Sequence, residues 1–101
     1  MNDYADTTLR EHRRLHILQQ LESAAEYASN SETILDILRG AKLSTTRDQL
    51  VTELAWLKEQ GFVAVDGLDG DFVGVTATVR GVEVARGQAF HPGVRRPGPR
   101  R

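Results

Sequence analysis

An α+β fold is predicted: three helices, then a β-hairpin, then a short helix and a flexible basic tail. Three observations predict it. Apolar residues recur every three or four positions in three separate segments before Gly61, and from Phe62 the spacing changes to two. After Gly87 apolar residues thin out while prolines, glycines and arginines gather. A chain of 101 residues supplies one core, so a single domain is expected over residues 1–86, followed by a tail over 87–101.

The first helix is expected to start after Thr8, whose hydroxyl can cap it while Glu11 closes a capping box. Leu15, Ile17, Leu18, Leu21 and Ala25 form its apolar face, and Arg10, Arg13, Arg14, Gln19, Gln20 and Glu22 its solvent face. Tyr27 and Ala28 read as a short extended piece. Asn30 or Ser31 can cap a second helix with Ile34, Leu35, Ile37 and Leu38 inward, and Gly40 ends it.

Ser44, Thr45 and Thr46 can each cap the third helix, in which Leu50, Leu54 and Leu57 repeat until Gly61. Val63 and Val65 then alternate with Ala64 and Asp66, and Phe72, Val73 and Val75 form the return strand. Gly67 and Gly70 supply the conformational freedom of the turn between them. Thr76 to Ala85 reads as a short helix broken by Gly81, with Val79, Val82 and Ala85 able to pack on the core. The tail has too little apolar surface to offset the entropy of ordering it, so flexibility is expected.

No cysteine is present, so neither a disulfide nor a thiolate metal site can hold the fold, and a cytoplasmic location is expected. Met1 to Thr8 contains two aspartates and no apolar run, so no secretory leader is expected, and no stretch suggests a membrane span. The net charge of −1 conceals an asymmetry. Setting aside Arg95, Arg96, Arg100 and Arg101 leaves 9 basic against 14 acidic residues, a body near −5 with a basic end. Folded surfaces that bind nucleic acid are usually basic, and this body is not.

The order helix, extended piece, helix, turn, helix, hairpin resembles the winged helix-turn-helix layout. Leu54-x-x-Leu57-x-x-x-Gly61-Phe62-Val63, followed by Val75-Thr76, Gly81 and Ala85, resembles bacterial repressors of the arsenic-repressor and multiple-antibiotic-resistance types from recognition helix through wing. A broader resemblance is to a family of small winged-helix proteins of Mu-like phages and prophages. It is carried by Arg13-Arg14-Leu15-x-Ile17-Leu18, Tyr27-x-x-Asn30, Arg47-Asp48-Gln49-Leu50-Val51-x-x-Leu54-Ala55-Trp56-Leu57-x-x-Gln60-Gly61 and Pro92-Gly93-Val94-x-Arg96-Pro97. What this resemblance implies is a phage context and a transcription-regulation or DNA-handling role.

In such a fold the third helix enters the major groove, which makes Thr45, Thr46, Arg47, Gln49 and Thr52 the candidate DNA-contacting residues, with Lys42, Arg95 and Arg96 on phosphate. The helical step that turns Leu50, Leu54 and Leu57 inward turns Thr45, Asp48, Gln49, Thr52, Trp56 and Glu59 outward. That outer face carries two acids and no base, and repressors of this class often carry basic residues where this chain has Thr52, Glu53 and Ala55. The basic side chains equally suit a plain solvated surface. Trp56 is a candidate partner-binding residue, or it packs under the wing against Phe62 or Phe72.

His12 and His16 stand four apart, but no third ligand accompanies them, and Asp66, Asp69 and Asp71 lack the glutamate that completes a calcium loop. No metal, no cofactor and no catalytic residue is expected, and hence no enzyme. Two readings stay open: a DNA-binding protein, or a protein–protein adaptor without specific DNA binding, which the acidic body favours. A homodimer is open as well, since related folds pair through the first helix, although here that helix has no apolar stripe beyond the core's needs.

Overall fold

The computed structural model describes residues 3–70 and 72–98. Helix α1 spans Asp3–Ser23, a 3₁₀ turn spans Ala25–Tyr27, strand β1 spans Ala28–Asn30 and helix α2 spans Ser31–Gly40. Helix α3 (Arg47–Glu59), strands β2 (Val63–Asp66) and β3 (Gly74–Ala77), and helix α4 (Val79–Ala85) complete the series. The described residues are thus α+β, with four α-helices and one antiparallel sheet ordered β1-β3-β2 among them. This arrangement is compatible with a winged helix.

The first helix begins five residues before the expected cap at Thr8, which lies inside it. Acidic residues near a helix start favour its positive end, and Asp6 stands there. The other starts follow the capping chemistry. Asn30 Oδ1 accepts from the Thr33 N–H, Thr46 and Gln49 form a reciprocal capping box, and the Thr78 hydroxyl accepts from the Gly81 N–H.

Helices α2, α3 and α4 end in the same way. The N–H groups of Leu43, Phe62 and Gln88 reach back to the carbonyls of Leu38, Leu57 and Glu83, around a left-handed residue. In α3 and α4 that residue is glycine, Gly61 and Gly87, whereas in α2 it is Lys42 at φ 66°. The second helix ends at Gly40 as expected, and its left-handed residue stands two positions further on.

Leu15, Ile17, Leu18 and Leu21 of α1 meet Ile34, Leu35 and Leu38 of α2 and Leu50, Leu54 and Leu57 of α3 in one core. The sheet closes it with Val63, Val73, Val75 and Ala77. Register pairs Val65 with Val75 and Ser29 with Val75, so alternate β3 residues face inward. Ala25, expected inside, is exposed in the 3₁₀ turn, and Ile37 is only half-buried.

Helix α4 is continuous through Gly81 rather than broken there. A Cβ at Gly81 would lie 2.1 Å from the Phe62 carbonyl oxygen, so glycine is what lets α4 approach the chain beneath it. That rotation buries Val82, Val84 and Ala85 and leaves Val79 77% exposed, contrary to its expected inward position.

Residues 87–98 correct the expectation of a flexible tail. They fold back as a strap over α1 and α3, with Val94 only 4% exposed and the Arg95 N–H bonded to the Glu11 carbonyl at 3.2 Å. Arg14 Nη1 donates to the Gly93 carbonyl at 2.9 Å. Apolar content along the segment is low, but one valine, one glycine and one histidine find shaped partners, and local composition does not register that.

Candidate interaction surfaces

The exposed stripe of α3 is Asp48, Thr52, Ala55 and Glu59, with Lys58 beside it. Folding has already engaged most of the residues expected to face DNA. Thr45, expected outward, is 3% exposed: its hydroxyl donates to the Leu43 carbonyl at 2.6 Å and accepts from Arg13 Nε at 3.0 Å. Gln49 Oε1 accepts from the Thr46 N–H at 2.9 Å, and the Thr46 hydroxyl accepts from the Gln49 N–H at 3.1 Å. Thr52 donates to the Asp48 carbonyl. Arg47 pairs with Glu32 across to α2 and donates to the Gly70 carbonyl. Lys42 is exposed, on the left-handed turn.

A polar seam between α1 and α3 accounts for the burial of Thr45, which Arg13 of α1 holds. Glu53, 1% exposed, accepts from Arg14 Nε at 2.7 Å and from Arg10 Nε at 2.9 Å. Arg13 and Arg14, expected on a solvent face, are buried. A buried carboxylate is tolerated only where charge and hydrogen bonds compensate it, and Arg10 and Arg14 do so here. Arg13 Nη2 also donates to the Ser44 carbonyl at 2.9 Å, which ties α1 to the loop before α3. Acidic Glu53 therefore does not face a ligand of α3. A shallow cavity of about 280 Å³ remains over this seam, lined by Asp6, Arg10, Asp48 and Thr52 among others.

Trp56 packs within the molecule and is half-buried. Its ring lies edge-on to Phe62 at 6.4 Å and to His91 at 5.1 Å, and the Arg14 guanidinium sits 3.9 Å from its centroid. Gly93 lies against the indole, where a Cβ would come within 2.7 Å of a ring carbon. Of the two phenylalanines considered for Trp56, Phe62 is the partner, whereas Phe72 projects into solvent from the wing. His91 Nδ1 accepts from the Gly93 N–H at 2.9 Å, which shapes the strap's turn.

Arg95 and Arg96 are exposed on this strap, as expected for phosphate-contacting side chains, but on an ordered backbone. Arg96 stacks over Phe90, 4.1 Å from its centroid, and Phe90 is 60% exposed. Sequence reasoning overlooked Phe90, because a lone aromatic in a Pro/Gly/Arg segment has no periodicity to mark it. It likewise overlooked the Arg10–Glu53–Arg14 cluster, whose members look like ordinary surface charges.

On the opposite side, Tyr27, Val79 and Val82 line a groove with Arg86. The hydrogen bond from Arg86 to Glu22 raises that guanidinium's pKa further, so it stays charged. Among the described residues no group of three or more His, Cys, Asp or Glu side chains gathers to hold a metal ion, and no helix is long and apolar enough to cross a membrane.

No family model matches the chain, and no solved structure matches it. A curated protein of Escherichia phage Mu, called Uncharacterized protein gp26, is 41% identical over 92 residues, which cover 91% of this chain and 94% of the phage protein.

Proposed function

The chain belongs to the family of the gp26 protein of Escherichia phage Mu, and from that premise we propose that it is a winged-helix adaptor of a phage programme, binding a protein through the exposed face of α3. One observation carries this reading: the exposed residues of α3 are Asp48, Gln49, Thr52, Ala55, Lys58 and Glu59, two acids against a single base, and the Gln49 amide oxygen is held in the helix cap. Carboxylates beside phosphates reduce affinity, and of the other candidates Thr45, Thr46, Gln49 and Arg47 are occupied in capping, packing or pairing. Asp66 and Asp69 extend the negative charge along the wing. A basic protein surface complements such a face.

Charge reversal at Asp48 and Glu59 together tests the proposal. Cross-linking in phage-producing cells should capture one defined phage or host protein with the wild-type chain and lose it with the double variant. Gel shift on duplex DNA at low and moderate salt supplies the opposing outcome: sequence-selective binding that Thr46→Ala or Thr52→Ala abolishes would overturn the adaptor reading in favour of groove recognition.

A second reading, DNA handling through phosphate contacts alone, is favoured by Arg95 and Arg96, which the strap holds in the open. It predicts duplex binding that falls steeply with salt and is indifferent to substitutions on α3.

A further inference from the structure

We infer that the corner where the strap runs back along α1 binds one unpaired base of a single-stranded nucleic acid, a role that stands independently of the protein-contact proposal. The strap and α1 enclose an open cavity of about 530 Å³. That lies within the roughly 300–1,000 Å³ of small-ligand sites. Phe90, Pro92, Arg95, Arg96 and Pro97 line it from the strap, and Glu11 from α1.

The chemistry of these groups is divided as a nucleotide is divided. Phe90 offers a largely exposed ring, already flanked by the Arg96 guanidinium at 4.1 Å, and aromatic rings with arginine planes are the surfaces on which unpaired bases stack. Arg95 is exposed beside it to meet phosphate. Glu11 is the discriminating member. Its carboxylate can accept a hydrogen bond from the exocyclic amine of cytosine, a base-edge donor that an acidic peptide side chain does not offer.

The site is pre-organised, which lowers the entropic cost of binding. Buried Val94, the Arg14–Gly93 hydrogen bond and the Arg95–Glu11 backbone bond fix the middle of the strap against α1. Base stacking here leaves the α3 face free. The molecule can therefore hold a protein at one surface and a strand at another.

Fluorescence anisotropy of a labelled 12-nucleotide oligo-dC with the full-length chain at low salt tests the inference. Phe90→Ala should weaken binding by about fivefold to a hundredfold, the range for loss of one stacked base. Phe90→Trp, which retains the ring, should keep the affinity, and Arg96→Ala should weaken binding and flatten its salt dependence. Oligo-dT, which lacks an exocyclic amine, should bind less tightly than oligo-dC. Polyglutamate should fail to compete. Absence of binding at low salt, indifference to Phe90→Ala, or equal competition by polyglutamate would each overturn the site, the last in favour of an acidic protein partner.

Discussion

Helix α3 and the C-terminal strap both pack on α1, yet they leave their charges in opposite states. At the α3 seam, Glu53 is buried between Arg10 and Arg14, Thr45 is buried on Arg13, and Gln49 is spent on a capping box, so most polar side chains there hold the fold together. On the strap the backbone carbonyls and amides do the holding, through Arg14–Gly93 and Arg95–Glu11, and the side chains of Arg95 and Arg96 are left outward. Polar residues used in folding are lost to recognition. Anchoring a segment by its backbone keeps its side chains available.

The comparison breaks most sharply at Glu53. Glu53→Ala strands Arg14, whose side chain is nearly as buried as its partner, and should cost about 3–5 kcal/mol in urea unfolding, as for one half of a buried ion pair. A cost under about 1 kcal/mol would show that the seam is wetter than drawn. Truncation after Pro92 follows. Loss of Val94 burial, together with the acceptor for Arg14, should cost about 2–3 kcal/mol and increase the solvent exposure of Trp56, which acrylamide quenching would read. A truncated chain of unchanged stability would return the strap to a loose tail.

Gly93→Ala isolates one contact of that strap. A Cβ pressed on the Trp56 indole should cost about 1–3 kcal/mol by overpacking and alter the tryptophan emission, while far-UV circular dichroism stays the same. Lys42→Gly sharpens the comparison from the stabilising side. It relieves a left-handed lysine at the end of α2 and should raise stability by about 1 kcal/mol. Smallest of all, Arg96→Ala should change stability by less than about 0.5 kcal/mol, because its guanidinium touches only an exposed ring. A large loss would mean that the strap's charges are structural too.

Glycine shows how the same residue type reads differently along this chain. In an exposed helix Gly→Ala stabilises by about 0.5–1 kcal/mol, and the sequence around Gly81 invites that expectation. The Phe62 carbonyl 2.1 Å from the position of a Cβ reverses the sign. Nothing local to residues 78–85 announces it, since Phe62 lies far away in sequence. The apolar repeats of α2 and α3, a hydroxyl cap among Ser44, Thr45 and Thr46, the stop at Gly61 and the period-two hairpin were all legible, because each is a local pattern that meets local geometry, while the choice of Thr46 came from the fold.

Local order along the chain therefore determined the helices, the hairpin and the inward leucines, and identity with a phage relative extends over nearly all of it. Tertiary structure alone decided which charges are free. Arg13, Arg14 and Glu53 have the same composition signature as any solvated helix face, and they became interior groups only when α1 and α3 closed on one another and left each a partner of opposite charge. Arg95, Arg96 and Phe90 lay in a segment whose composition argues for disorder, and they became a fixed surface only because Gly93 is small enough to lie on Trp56 and Val94 finds the core. Desolvation and fit depend on what arrives from elsewhere in the chain, and no window of neighbouring residues contains that information.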